Sequence, residues 1–161
     1  MSTHTAPTHT GIAFEQPRLD IFEHAEASYR AMVGLDGSIE LDTALRDLVS
    51  LRASIVNGCA YCVDMHSLDA QARNESAQRL HALAAWKEAP FFTERERAAL
   101  ALTDAITLVV GTHVPRDVFD TARAHFDDRE LSQLIWAITV INAWNRIAIS
   151  VRVLPGEYKP G

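Results

Sequence analysis

Two cysteines and a histidine crowd one segment, Asn57-Gly58-Cys59-Ala60-Tyr61-Cys62-Val63-Asp64-Met65-His66. On a helix, residues three and four apart share a face. At 100° per residue, Cys59, Cys62 and His66 fall within an arc of about 60°, so both sulfurs and the imidazole can converge. A free thiol, with a pKa near ~8.5, is ionised only to a few per cent at neutral pH. The first turn of a helix lowers that value through unpaired N–H groups and the macrodipole. A histidine one turn on can take the proton and hold the thiolate as an ion pair. The second cysteine can then attack a sulfenic acid or mixed disulfide formed on the first.

Two other readings compete. A Cys-x-x-Cys pair can be two small buried hydrophobes, and Cys59, Cys62 and His66 together offer three zinc ligands. The chain has only these two cysteines, so a closed Cys₄ or Cys₃His site would need ligands from another subunit. The histidine and the preceding Asn-Gly break favour thiol chemistry. It needs no metal and no bound cofactor, only an external dithiol as reductant.

The elements that must position this cluster read as helices. Pro17 to Met32 is expected to form the first, and Gly34-Leu35-Asp36-Gly37-Ser38 reads as a turn. Asp42 to Val56 carries Ala44, Leu45, Leu48, Leu51, Ile55 and Val56 at helical spacing. Asn57-Gly58 should stop it, because both residues tolerate positive φ. A helix from about Cys59 to Ala72 follows, then one capped by Asn74 or Ser76 that reaches Trp86. Thr93-Glu94-Arg95-Glu96 has the form of a capping box ahead of Ala98 to Val110. Pro115 suits the first turn of a short helix ending near Phe126, and Asp127 or Asp128 should cap a long one, Glu130 to Val151. Strand signals are nearly absent. The fold class is all-α, a helical bundle, with residues 1–16 as a flexible arm and 17–161 as a single domain.

The segment Asn57 to Ser67 resembles the core motif of the AhpD-like branch of the carboxymuconolactone decarboxylase family. That motif is a carboxylate twelve residues before the first cysteine, Cys-x-x-Cys, and a histidine four further on. Asp47, Cys59, Cys62 and His66 occupy those positions. The likeness covers Leu41 to Ala72. A looser one extends to Leu102-Thr103-Asp104-Ala105, Thr112-His113-Val114-Pro115 and Ile141-Asn142-Ala143-Trp144-Asn145-Arg146. The resemblance implies an all-helical fold assembling as a homotrimer or homohexamer, and alkyl hydroperoxidase activity. It makes Cys62 the peroxidatic cysteine and Cys59 the proton donor and resolving partner. It makes His66 the relay base, with Asp47 in the place of the family's usual glutamate. The reductant it implies is a thiol or a lipoyl-type dithiol.

Aspartate at position 47 is one methylene shorter than that glutamate. A misplacement of about 1 Å can cost on the order of 10²-fold in rate, so a redox sensor or scaffold with little turnover is the alternative. Asp47 with Ser50, Ser54 and Asn57 forms a polar stripe that either lines a wet site or faces bulk water. A lactone decarboxylase activity is a third reading, weakened because that branch does not rely on a cysteine pair.

The rest of the chain narrows the class. At 161 residues there is room for one domain, and the chain is long enough to bury a core without staples. The net charge of −6 and the lack of a basic patch argue against nucleic acid and anionic membranes. No apolar stretch is expected to approach the ~18–20 residues of a membrane span. Met1 to Gly11 does not read as a secretory signal, so a reducing cytoplasm is expected. Asn142, Asn145 and Arg146 interrupt the apolar run Leu134 to Val151 and need buried partners. His113 and His125 read as turn or cap residues, Tyr61 as a packing or rim residue, and Trp86, Trp136 and Trp144 as core or interface.

Overall fold

A computed structural model of the chain describes residues 15–160. Most of the expected N-terminal arm, residues 1–16, lies outside the described residues. Every regular element described is a helix: α1 (Ile21–His24), α2 (Glu26–Gly37), α3 (Thr43–Asn57), α4 (Ala60–Ala72), α5 (Ala77–Ala82), α6 (Glu94–Thr107), α7 (Val109–Thr112), α8 (Arg116–His125) and α9 (Asp128–Val151). One 3₁₀ turn, Leu83–Ala85, extends α5.

Helix α3 is the centre of the bundle, packed against α4, α6 and α9. Leu48, Val49, Leu51, Ala53 and Ser54 are all essentially without solvent contact, so α3 is covered on nearly every side. One core joins Leu45 and Val49 to Leu102, Phe126, Leu134 and Ile138 of α6, α8 and α9. A second joins Leu48 and Leu51 to Leu80, Leu83, Trp86, Phe92 and Leu100. Each such side chain contributes about 1.5–3 kcal/mol on full burial.

The caps fall where short side-chain acceptors stand. Asp42 accepts from the Leu45 amide, Ser76 from Arg79, Thr93 closes a capping box with Glu96, and Asp127 closes one with Glu130. Pro115 sits immediately before α8.

Four expectations need correction. The first helix begins only at Ile21 and is interrupted at Ala25. The stretch read as a turn, Gly34 to Gly37, is instead the last turn of α2, because Arg46 of α3 binds both the Asp36 carbonyl and its carboxylate and so secures that turn. Helix α6 stops at Thr107 rather than Val110, since the Thr112 hydroxyl takes the Ala105 carbonyl and folds Val109–Thr112 back as a separate turn. Finally, α9 is long and apolar enough, by length and composition alone, to cross a membrane. Half of that window is buried in the fold, and its face fills the core through Leu134, Ile138 and Ile141. It is a core helix here.

The amides of α9 find one another. Asn145, fully buried, donates to the Ser54 hydroxyl at 3.1 Å and accepts from the Asn57 amide at 2.8 Å. Asn57 also donates to Asn142, which donates to the Thr107 hydroxyl and accepts from Arg146. This network ties the end of α3 to α9 immediately before the cysteines. Removing one member strands the others in a low-dielectric interior. Asn145→Ala is therefore expected to lower unfolding free energy by about 2–3 kcal/mol, measured by urea denaturation at pH 7.

Candidate functional site

Helix α3 ends at Asn57 because Gly58 takes a left-handed conformation, φ 69°, that side chains with a Cβ adopt only at a cost. The chain reverses there, and Cys59 becomes the N-cap of α4. Its sulfur accepts the Cys62 amide N–H at 3.4 Å, and the two sulfurs are joined as a disulfide. Both residues are buried, packed against Ala148, Ile149 and Val153 at the end of α9.

Only Cys62 of the pair reaches the main cavity, a space of about 620 Å³. His66 lines the same cavity one turn further along α4. The ring is partly exposed, yet its Nε2 atom is buried and has no hydrogen-bond partner. Burial pushes the imidazole pKa down to about 4, the nearby Asp69 pulling it up and Arg46 and Arg73 pulling it further down. In this oxidised state burial favours the neutral imidazole at pH 7.

Asp47 also lines the cavity. Both its oxygens are occupied by one guanidinium nitrogen of Arg73, at 2.8 and 2.9 Å. Burial raises its pKa, and the Arg73 contact offsets that only in part. Asp36 and Arg46 form a second ion pair at 2.8 Å on the same wall. Apolar and aromatic side chains complete the lining: Phe22 and Tyr29 meet edge to face at 5.1 Å, and Tyr29 meets Trp144 at 6.0 Å.

Three of the four residues singled out in the sequence line one cavity. Cys62, His66 and Asp47 face the cavity and Cys59 sits against Cys62 out of its lining. The polar stripe of α3 divides: Asp47 and Ser50 line the cavity, whereas Ser54 and Asn57 join the α9 amides. Asp47, Ser50 and Ser54 are buried and Asn57 is half-buried. Tyr61 is a rim residue of the cavity, Trp86 is core, and Trp144 is in the wall. Trp136, expected in core or interface, stands about half exposed on α9. Arg46, Asp69 and Arg73 went unnoticed in the sequence. The last two continue the Cys62–His66 face at i+7 and i+11, so helical spacing alone would have found them.

The model of the carboxymuconolactone decarboxylase family matches residues 26–105. The uncharacterised protein YdfG of Bacillus subtilis is 35% identical over 137 residues, which are 83% of this chain and 93% of that protein. A crystal structure of a protein of unknown function from Agrobacterium tumefaciens, suggested to be the antioxidant defence protein AhpD, is 37% identical. It superposes with a TM-score of 0.86 over 89% of this chain and all of that one. The chain belongs to the carboxymuconolactone decarboxylase family, in its AhpD-like branch. The debrominase Bmp8 has the same fold at 20% identity, with a TM-score of 0.76 over 84% of this chain and 75% of its own.

The depressed histidine gives this AhpD-like site a pH signature. Between the unfolded value near ~6.5 and the folded value of about 4, only the unfolded chain binds the proton. Stability supplied by neutral His66 is therefore complete above the unfolded pKa and is lost as pH falls towards the folded one. From pH 7 to pH 5 the oxidised protein should lose about 1–2 kcal/mol more than a His66→Gln variant. Urea melts of both proteins at the two pH values measure it, and equal losses would refute the buried imidazole.

Proposed function

We propose that this protein is a thiol-dependent hydroperoxide reductase. The observation that supports the reading best is the Cys62 sulfur, bonded to Cys59 and lining a cavity of about 620 Å³ beside the unpartnered His66 nitrogen. The likeness to a suggested AhpD supports it independently.

In the reduced enzyme, Cys62 thiolate attacks the terminal oxygen of a hydroperoxide. The O–O bond breaks, the departing alkoxide takes a proton from His66 and leaves as alcohol, and Cys62 becomes a sulfenic acid. The Cys59 thiol then attacks that sulfur, and its proton and the hydroxide leave together as water. The disulfide that results is returned to two thiols by an external dithiol, itself oxidised to a disulfide, and a lipoyl-type dithiol suits this role. No bound cofactor or metal enters the scheme. The Cys59 sulfur at the N-cap of α4 accepts the Cys62 amide N–H, a placement that eases loss of its proton as it attacks.

Asp47 holds the place of the family's carboxylate, but with Arg73 on both oxygens it is not free to exchange protons with His66. This favours one rival reading, a redox sensor that is oxidised once and cycles slowly. Peroxide consumption with dihydrolipoamide separates the two. Wild type should turn over many times, Cys62→Ser should lose activity to background, and Cys59→Ser should stall as a sulfenic acid that dimedone labels at Cys62. Full activity in Cys62→Ser would end this assignment.

The chain is also proposed to work as a homo-oligomer, a trimer or hexamer. Neither α1 nor α2 buries a single residue, while Tyr29, Val33, Leu35 and Trp136 stand exposed and Val110 is 90% exposed. Apolar surface on this scale is usually covered. Light scattering should give a mass of three or six chains, and a monomer at micromolar concentration would refute it.

A further inference from the structure

Five charged side chains line the cavity: Asp36, Arg46, Asp47, Asp69 and Arg73. Four are spent on each other, Arg46 with Asp36 and Arg73 with Asp47. Asp69 is the fifth, and among the described residues no cation forms an ion pair with it. It lies three residues beyond His66 on α4, on the face that also carries Cys62. One of its oxygens accepts the Tyr158 hydroxyl at 2.8 Å.

Tyr158 comes from the segment that follows α9. That segment leaves Arg152 in a left-handed turn, packs Val153 beside the cysteines, and is fastened to α4 twice. The Gly156 amide donates to Asp64 at 2.8 Å, and the Tyr158 hydroxyl donates to Asp69. The phenol stays protonated at any physiological pH, its pKa pushed up to about 12 by burial and by Asp69 itself. It can therefore only donate to the carboxylate, and it does so to one oxygen. The other has no hydrogen-bond partner among the described residues, and Asp69 lines the cavity.

We propose that Asp69, oriented by the Tyr158 hydroxyl, is the positioning carboxylate that holds His66 as the proton donor for Cys62, in place of Asp47. The inference rests on the hydroperoxide reductase reading for its consequence, though not for its physics. Asp47 cannot supply net negative charge at His66 while Arg73 cancels it. Asp69 can, because among the described residues no cation is paired with it. Its pull on the imidazole opposes the desolvation that otherwise keeps the ring neutral, together with the push of Arg46 and Arg73. When Cys62 carries a thiolate, the two negative charges flank the ring from both sides along one helix face. The imidazolium needed to protonate the departing alkoxide is then favoured. The other ionisable groups near the ring are Asp36 from α2, Arg46 and Asp47 from α3, Tyr61 and Arg73 from α4, and Tyr158 from the C-terminal segment.

The test is the titration of His66 in the reduced full-length chain, followed by NMR of the imidazole Cε1–H and assigned with His66→Gln. Asp69→Asn should lower the His66 midpoint by at least about one pH unit, more than Asp47→Asn does. Tyr158→Phe, which removes the hydrogen bond but keeps the charge, should lower it by less than half as much. In the peroxide assay, kcat/KM at pH 7 should fall about tenfold in Asp69→Asn. An unmoved midpoint in Asp69→Asn, or a larger shift in Asp47→Asn, overturns the assignment. So does a Tyr158→Phe shift equal to that of Asp69→Asn, which would make the effect one of tail docking alone. Should the wild type consume no peroxide, the reductase reading fails, while the histidine titration still decides the role of Asp69.

Discussion

A left-handed residue at Gly58 is the constraint on which the site depends. Helix α3 must stop there so that α4 can start with a free N-terminus, and the stop must turn the chain back within one residue. Cys59 then falls at the N-cap and Cys62 in the first turn, where unpaired amides favour negative sulfur. Every later residue of the site follows from that phase. His66, Asp69 and Arg73 come to the cavity because they repeat the face on which Cys62 emerges. Shifting the start of α4 by one residue would rotate them all by about 100°. The amide network of Asn57, Asn142 and Asn145 explains how the phase is kept, since it fastens the last residue of α3 to the core helix α9.

The cavity solves a problem of charge. An isolated carboxylate or guanidinium is costly to remove from water, and the cost falls only when a partner is close. Two ion pairs line the wall, and each secures something beyond itself. Arg46 with Asp36 fixes the last turn of α2, and Arg73 with Asp47 joins the end of α4 to α3. The same pairing occupies both oxygens of Asp47. A longer glutamate at this position would place its carboxylate about one carbon–carbon bond further out, with different reach to both His66 and Arg73. Aspartate is drawn into the pair with Arg73, and the histidine is left without a partner on Nε2.

Much of this was legible in the chain itself, for a physical reason. Caps, the Gly58 stop and the Cys59–Cys62–His66 face depend on side chains within four residues of one another, and such relations survive in linear order. What escaped depends on distance along the chain. Gly34 to Gly37 reads as a turn until Arg46, ten residues on, is seen to hold its carbonyl. The break after Thr107 follows from a hydroxyl seven residues from the carbonyl it takes, beyond any helical register. Asp47 looks like a free relay carboxylate until Arg73, 26 residues later, covers it. Asp69 continues the Cys62–His66 face, but its bond to Tyr158 spans 89 residues and belongs to no motif.

The aromatic wall has a different standing from the rest. Phe22, Tyr29 and Val33 contribute to the cavity from α1 and α2, which bury no residue of their own. Those helices are held by the Arg46–Asp36 pair, by the edge contact of Tyr29 on Trp144, and by the Arg18 amide on the Val151 carbonyl. Few buried apolar contacts mean a low free energy of local opening. The Cys62 sulfur, by contrast, is buried on α4, which packs against α3 and α9. The part of the lining least tied to the core is therefore the apolar one. The polar side, with Asp47, His66 and Arg73, belongs to α3, α4 and its C-cap, which pack in the core of the bundle.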